Sequence, residues 1–146
     1  MPAFPAYAPG LAQGLALDHG LEAPAPKLPP VDAELAKAGR ALIQKGAFAC
    51  VDCHAVGAQA ALAGADTVTI NFAHVPARLR KEYFDRYVQD PLRLLPGTMM
   101  PKFVNEQGLT GVTTYYGGDA RKQFEAIWNY MRTIPDSLRS PQEAGK

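Results

Sequence analysis

Cys50-Val51-Asp52-Cys53-His54 decides how this chain is read. These are its two cysteines, three positions apart. A disulfide between them would close almost no loop and so would stabilise little, which makes the pair chemistry rather than a staple. On one helical turn a two-residue spacer sets both sulfurs under one edge of a flat ligand. The next residue then aims an imidazole nitrogen at the ligand's centre. That pattern matches covalent haem attachment, with two thioethers and a histidine on the iron.

Two other readings compete. A thioredoxin-like dithiol should follow a strand and open a helix within a βαβ pattern, whereas this motif follows a helical stretch. A zinc site needs four ligands, and beyond Cys50, Cys53 and His54 only His74 and His19 are at hand. The adjacent pair Cys53-His54 is also awkward for one tetrahedron.

Outward from the motif, Leu35, Ala38, Gly39 and Leu42 recur at i, i+3, i+4 and i+7, which predicts a helix over 33–45 capped by Asp32. A glycine on its buried face is expected where another helix crosses at close range. A second helix is expected from about Pro76 to just before Pro91, with Leu79, Tyr83 and Tyr87 along one side and Phe84 and Val88 beside them. The last helix follows Asp119 and ends at Pro135. Phe124, Ile127, Trp128 and Met131 form its apolar face, which Ile134 continues. Residues 104–118 carry strand-like residues, but the pair Gly117-Gly118 and the lack of a partner strand predict a loop.

The chain has 146 residues, enough for one hydrophobic core. The expected division is a Pro/Ala-rich leader over 1–30, a domain over 31–136 and a short polar tail over 137–146. The leader reads as a linker or surface arm, or else Leu11, Leu15 and Leu17 form a short element packed on the core. The net charge of +1 gives no sign of a nucleic-acid partner. No apolar run approaches the roughly 18 residues that span a bilayer. The N-terminus lacks a signal-peptide pattern, so the chain reads as a mature form or a domain of a longer protein.

A haem iron has a sixth position. Met99 and Met100 lie in the irregular stretch Pro96-Gly97-Thr98-Met99-Met100-Pro101, where flanking prolines could hold a weak thioether ligand. His74 and His19 are the other candidates, and Met131 reads as core. Propionate groups would call for donors, for which Arg78, Arg80, Tyr83, Arg93 and Lys102 are placed between the motif and the methionine loop. Phe72, Leu79, Leu94, Leu95, Phe103 and Trp128 are candidates for an apolar wall around the ring. Asn71 could donate toward the methionine or a propionate.

Residues 33–135 resemble the class I cytochrome c family. The likeness rests on a glycine-containing helix leading into Cys-x-x-Cys-His, a loop reading Pro-Gly-Thr-x-Met-Pro, and a final amphipathic helix with aromatics. The resemblance implies an all-α cytochrome c fold in which first and last helices cross, here Gly39 against Ile127 and Tyr130. It also implies one haem c held by Cys50 and Cys53, with His54 and Met100 on the iron, Met100 being the methionine just before the proline. The chain departs from the family in three places. Extra residues near Gly46-Ala47-Phe48 precede the motif. The proline whose carbonyl orients the ligand histidine is replaced near Ile70-Asn71-Phe72. Residues 104–118 lack a helical pattern.

The implied function is one-electron transfer, as a carrier or as the relay domain of a respiratory oxidoreductase, with no catalysis of its own. Redox proteins would be its donor and acceptor. Its place would be the periplasm or the outer face of the cytoplasmic membrane, because attachment of this kind follows export. The alternatives are a haem enzyme or gas sensor with a displaceable sixth ligand, and a structural haem module in a larger complex.

Overall fold

Proline decides where the first helix begins. Pro9 sits in the first turn of α1 (Ala8–Asp18), where its missing amide costs nothing, and Leu, Ala and Gln carry the helix onward. The computed structural model describes residues 6–21, 26–63 and 69–135. The chain divides into two units, Met1–Pro30 and Val31–Lys146. Within the leader expected over residues 1–30, residues 8–18 are helical and the described residues 6–7, 19–21 and 26–30 are not. Leu11, Leu15 and Leu17 of α1 are 62%, 61% and 58% exposed. The polar tail expected at 137–146 lies outside the described residues.

The second unit holds α2 (Ala33–Leu42), α3 (Cys50–Cys53), α4 (Val75–Arg78), α5 (Lys81–Gln89), α6 (Pro91–Leu94) and α7 (Ala120–Met131). Short 3₁₀ turns lie at Phe72–His74 and Tyr116–Gly118. Among the described residues the only β pairings are isolated bridges, so the fold is all-α. No described helix is long and apolar enough to cross a membrane.

The core is built on the crossing of α2 and α7. Asp32 caps α2 by accepting the Leu35 amide at 2.9 Å, and Asp119 caps α7 by accepting that of Lys122 at 3.1 Å. Phe124, Ile127, Trp128 and Met131 are all buried on the inner face of α7, together with Ala126. At Gly39 the two backbones meet: a Cβ there would lie 2.0 Å from the Ala126 carbonyl oxygen and 2.9 Å from the Ile127 Cα. Tyr130, which the resemblance paired with this glycine, is half-buried against the same core. The helix expected over 33–45 stops at Leu42, and Ile43 beyond it is fully buried.

A polar chain fastens the crossing from one side. Lys81 Nζ pairs with Asp85 at 2.6 Å and Glu125 at 2.7 Å. Asn129 Nδ2 donates to Glu125 Oε1 at 2.9 Å, and Asn129 Oδ1 accepts the Asp32 amide at 3.0 Å. α5, α7 and the N-terminal end of α2 are thus joined in turn through Lys81, which is half-buried, Glu125 and Asn129. Burial pulls the Lys81 ammonium down, but its hydrogen bonds to Asp85 and Glu125 more than offset this and hold its pKa above the usual value.

The single helix expected from Pro76 to Pro91 is two helices. Leu79 and Arg80 are extended, with ψ of 143° and 147°, and they separate α4 from α5. Helical geometry supplies the reason. Val75 and Phe84 are nine residues apart, about two and a half turns, so a continuous helix would turn them to opposite faces. The break lets both reach the core, with Val88, and leaves Tyr83 39% exposed, its ring stacked on Tyr87. Residues 104–118 form the expected loop, pinned by Gln123 of α7. This buried amide accepts the Thr110 hydroxyl at 2.7 Å and donates to the carbonyls of Val112 at 2.6 Å and Tyr115 at 2.8 Å.

Two outcomes test this account. Gly39→Ala should destabilise the protein by about 2–3 kcal/mol or more in urea unfolding, because two backbones must separate to admit the methyl group; an unchanged midpoint would refute the crossing. Lys81→Met should cost up to about 1 kcal/mol at pH 7. The pKa of Lys81 is raised by folding, so its contribution is complete below its ordinary value of 10.5 and fades as pH rises through the folded value. The gap between variant and wild type should therefore narrow on alkaline titration.

Candidate functional site

The motif begins with a backbone conformation that its side chain resists. Ala49, directly before Cys50, lies in the left-handed region at φ 54° and ψ 29°. For an L-residue this costs about 1–2 kcal/mol. The turn lets the chain leave buried Phe48 and enter α3 at once, with Cys50, Val51, Asp52 and Cys53 as its four residues. Cys50 is half-buried, Cys53 is exposed, and neither is in a disulfide. Burial, with Cys53 adding to it, pushes the Cys50 thiol up to about 12.

A short helix leaves its last carbonyls without intrahelical partners. Here the following loop takes them in turn. Leu62 N–H donates to the Val51 carbonyl at 2.9 Å and Ala63 N–H to that of Asp52 at 2.9 Å. The Thr69 hydroxyl donates to the Cys53 carbonyl, and Phe72 N–H to that of Ala55 at 2.9 Å. Asn71 locks the return strand in place. Its Oδ1 accepts the amides of Gly57 at 2.9 Å and Ala73 at 3.0 Å, while Nδ2 donates to the Gly57 carbonyl at 2.8 Å. The donation expected from Asn71 toward a methionine or propionate is thus replaced by a clamp on the backbone.

This lacing sets His54. Its Nδ1 lies 2.8 Å from the carbonyl oxygen of Ile70, and its ring centroid is 4.7 Å from that of Phe72. A carbonyl can only accept, so Nδ1 carries the proton and the lone pair of the neutral ring is on Nε2. Burial lowers the His54 pKa below its ordinary value, and the Ile70 hydrogen bond restores part of the drop. The ring is therefore held neutral near pH 7, with one nitrogen engaged and the other available.

The methionine loop separates its two candidates. Met99 is 80% exposed, whereas Met100 is half-buried and packs against the hydrophobic core. Thr98 Oγ1 accepts the Met100 amide at 3.2 Å and lies 3.2 Å from the Tyr87 hydroxyl, so the loop is tied to α5. Lys102 is paired with Asp90 at 2.8 Å.

The remaining candidates divide. Cys50, Leu79, Met100 and Phe103 pack against one cluster that contains buried Phe72 and Trp128. Arg78 and Arg93 are exposed and Arg80 is half-buried. Leu94 and Leu95 are 40% and 54% exposed, Leu94 ending the four-residue α6 whose buried member is Pro91 and Leu95 capping it. His74 lies in the 3₁₀ turn Phe72–His74, and His19 lies in the other unit. Among the described residues no group of three or more His, Cys, Asp and Glu side chains could hold a metal ion. An open groove lined by Arg86, Arg93, Lys102 and Arg121 touches none of residues 50–54.

The residues fit a covalently held haem on the chemistry of their donors. Two unbonded thiols stand on one helical turn beside an imidazole with a free nitrogen, and a thioether sits on the edge of the same core. Trp128 Nε1 is a buried donor with no hydrogen-bond partner among the described residues, and an anionic ring substituent would satisfy it. The sequence analysis missed the roles of Ala49, Thr98 and Tyr87, and it misassigned that of Asn71. Only Asn71 had a sequence signal, as a cap residue ahead of Phe72-Ala73-His74. The chain matches no protein-family model, no curated protein and no solved structure.

Replacing Ala49 with glycine should relieve the left-handed strain while adding some unfolded-state freedom, for a net gain of about 0.5–1 kcal/mol in urea unfolding. A loss of stability would mean that the conformation of Ala49 is not strained.

Proposed function

We propose that this chain is a mono-haem c-type cytochrome domain with a cytochrome c fold, and that it transfers single electrons between redox proteins. Cys50 and Cys53 would hold haem c through thioethers, with His54 and Met100 on the iron. The observation that carries the reading is the 2.8 Å contact between His54 Nδ1 and the Ile70 carbonyl. It fixes the tautomer, aims the ring and leaves Nε2 as a ligand, the standard support of a metal-bound histidine. A carbonyl after the motif plays the part that the resemblance gives to a proline.

Haem c, once bound, supplies exchange between ferric and ferrous iron. The chain's own residues do the rest. Phe72 packs on the His54 ring and restricts its rotation. Thr98 and Tyr87 steady the loop that carries Met100, which matters because a thioether is a weak ligand that needs positioning. Phe72, Phe84 and Trp128 keep water from the interior, which favours the less charged reduced state. Trp128 Nε1 and the side chains of Arg78, Arg80 and Tyr83 are donors for the propionates. With His54 and Met100 both holding the iron, substrate would find no open ligand position, and the chain would relay electrons without catalysing a reaction of its own. A net charge of +1 points to docking through a local patch rather than strong long-range steering. Because thioether attachment of this kind follows export, the reading implies the periplasm or the outer face of the cytoplasmic membrane.

The test is export of the chain in a host that attaches haem c. One haem per chain, surviving denaturation and extraction, is expected; a purified chain without covalent haem overturns the reading. In the oxidised holoprotein Met100→Ala should abolish the weak far-red sulfur-to-iron band and admit CO on reduction, while Met99→Ala should preserve the band and exclude CO. Prompt CO binding by the wild type would favour a gas sensor or haem enzyme instead.

A further inference from the structure

We propose that Asn71 is a positioning residue for His54, setting how strongly the imidazole donates to whatever its Nε2 binds. The inference rests on the haem reading and deepens it.

His54 depends on the exact placement of one carbonyl, that of Ile70, and Ile70 lacks the ring constraint of the proline that the resemblance puts there. A carbonyl in a sixteen-residue excursion from His54 cannot stay within 2.8 Å of Nδ1 unless the returning chain is fixed on both sides. On the earlier side the Thr69 hydroxyl bonds to the Cys53 carbonyl. On the later side Asn71 makes three hydrogen bonds with one amide group. Two of them reach fourteen residues back to Gly57, bonding both its N–H and its carbonyl, and the third caps the 3₁₀ turn Phe72–His74. Gly57 is itself in the left-handed region, at φ 59°, where glycine is suited. Asn71, beside the Phe72 N–H bond to the Ala55 carbonyl, is therefore the side chain that fastens the stretch carrying the ligand to the stretch carrying its acceptor on this side.

The consequence for the metal centre has a definite sign. A hydrogen bond from Nδ1–H to a carbonyl raises the electron donation of Nε2, which favours the more highly charged ferric state. Loosening that bond should raise the reduction potential. Simple loosening of the fold acts in the opposite direction, because entry of water also favours the ferric state and lowers the potential. The direction of the shift separates a positioning role from a merely structural one.

The experiment compares holoprotein wild type with Asn71→Ser and Asn71→Ala by redox titration and by the NMR resonance of the His54 ring proton. Serine can still cap the amide of Ala73 but is too short to bridge to both polar atoms of Gly57, so it keeps the turn and removes the clamp. The expected result is intact thioether attachment, a displaced and faster-exchanging ring-proton resonance, and a higher potential. The rise should be about tenfold in the reduction equilibrium constant, or about 59 mV for one electron. Asn71→Ala should move in the same direction where it folds. An unchanged or lowered potential in the serine variant overturns the positioning role while leaving haem attachment intact. A wild type that takes up no covalent haem overturns the haem reading itself and the inference with it.

Discussion

The structure depends on one backbone contact, where Gly39 of α2 meets the carbonyl of Ala126 and the Cα of Ile127 in α7. Helices that close leave no side chain between them, so their neighbouring side chains must flank the contact. Leu42 and Ile43 do so from the α2 side, and Phe124 and Trp128 from α7. Because α2 leads into Phe48 and α3, the crossing also sets where the Cys50–Cys53 turn emerges. The polar chain from Lys81 through Glu125 and Asn129 to the Asp32 amide reinforces this arrangement at the N-terminal end of α2. Burying Asn129 is tolerated because both ends of its amide are satisfied.

The second constraint is local to the motif. Of the four carbonyls in α3 the turn itself satisfies only that of Cys50, and Leu62, Ala63 and Thr69 supply donors to the other three. His54 follows from that closure. Its acceptor is a backbone carbonyl, so the tautomer is set by hydrogen-bond geometry and needs no carboxylate. A charged acceptor would have raised the pKa of the histidine, whereas here burial lowers it and the ring stays neutral.

How much of this could be read from the sequence depends on the range of the interactions. Gly39 and the inner face of α7 were legible because helical periodicity reports burial within one element, and a glycine on a buried face has few other uses. The helical turn of Cys50–Cys53 with His54 behind it was legible because the pattern is contained in five residues. The break at Leu79–Arg80 was not, since each half has its own apolar stripe and only the position of the core shows that one helix cannot serve both. The clamp at Asn71 was hidden for another reason: its partner is fourteen residues away, and nothing in a single sequence marks that pairing. Gln123 was the missed opportunity, a polar residue on an otherwise apolar arc, where burial demands a specific set of partners.

The electrostatics of the two cysteines bear on which chemistry the motif can support. A redox dithiol works through a thiolate, and sites that use one lower its pKa with a cation or a longer helix N-terminus. Cys50 has neither: burial takes it to about 12, and α3 is a single turn. As the attacking thiol of a reversible dithiol, Cys50 would therefore be nearly inert at neutral pH. Thioether formation makes a different demand, because it converts each sulfur once and needs no standing thiolate afterward. Burial that weakens a reversible thiol is harmless to a finished thioether, and it protects the bond from solvent. The same low-polarity surroundings that disfavour a charged Cys50 keep His54 neutral. Burial thus acts the same way on two residues of the motif, disfavouring a thiolate at Cys50 and an imidazolium at His54.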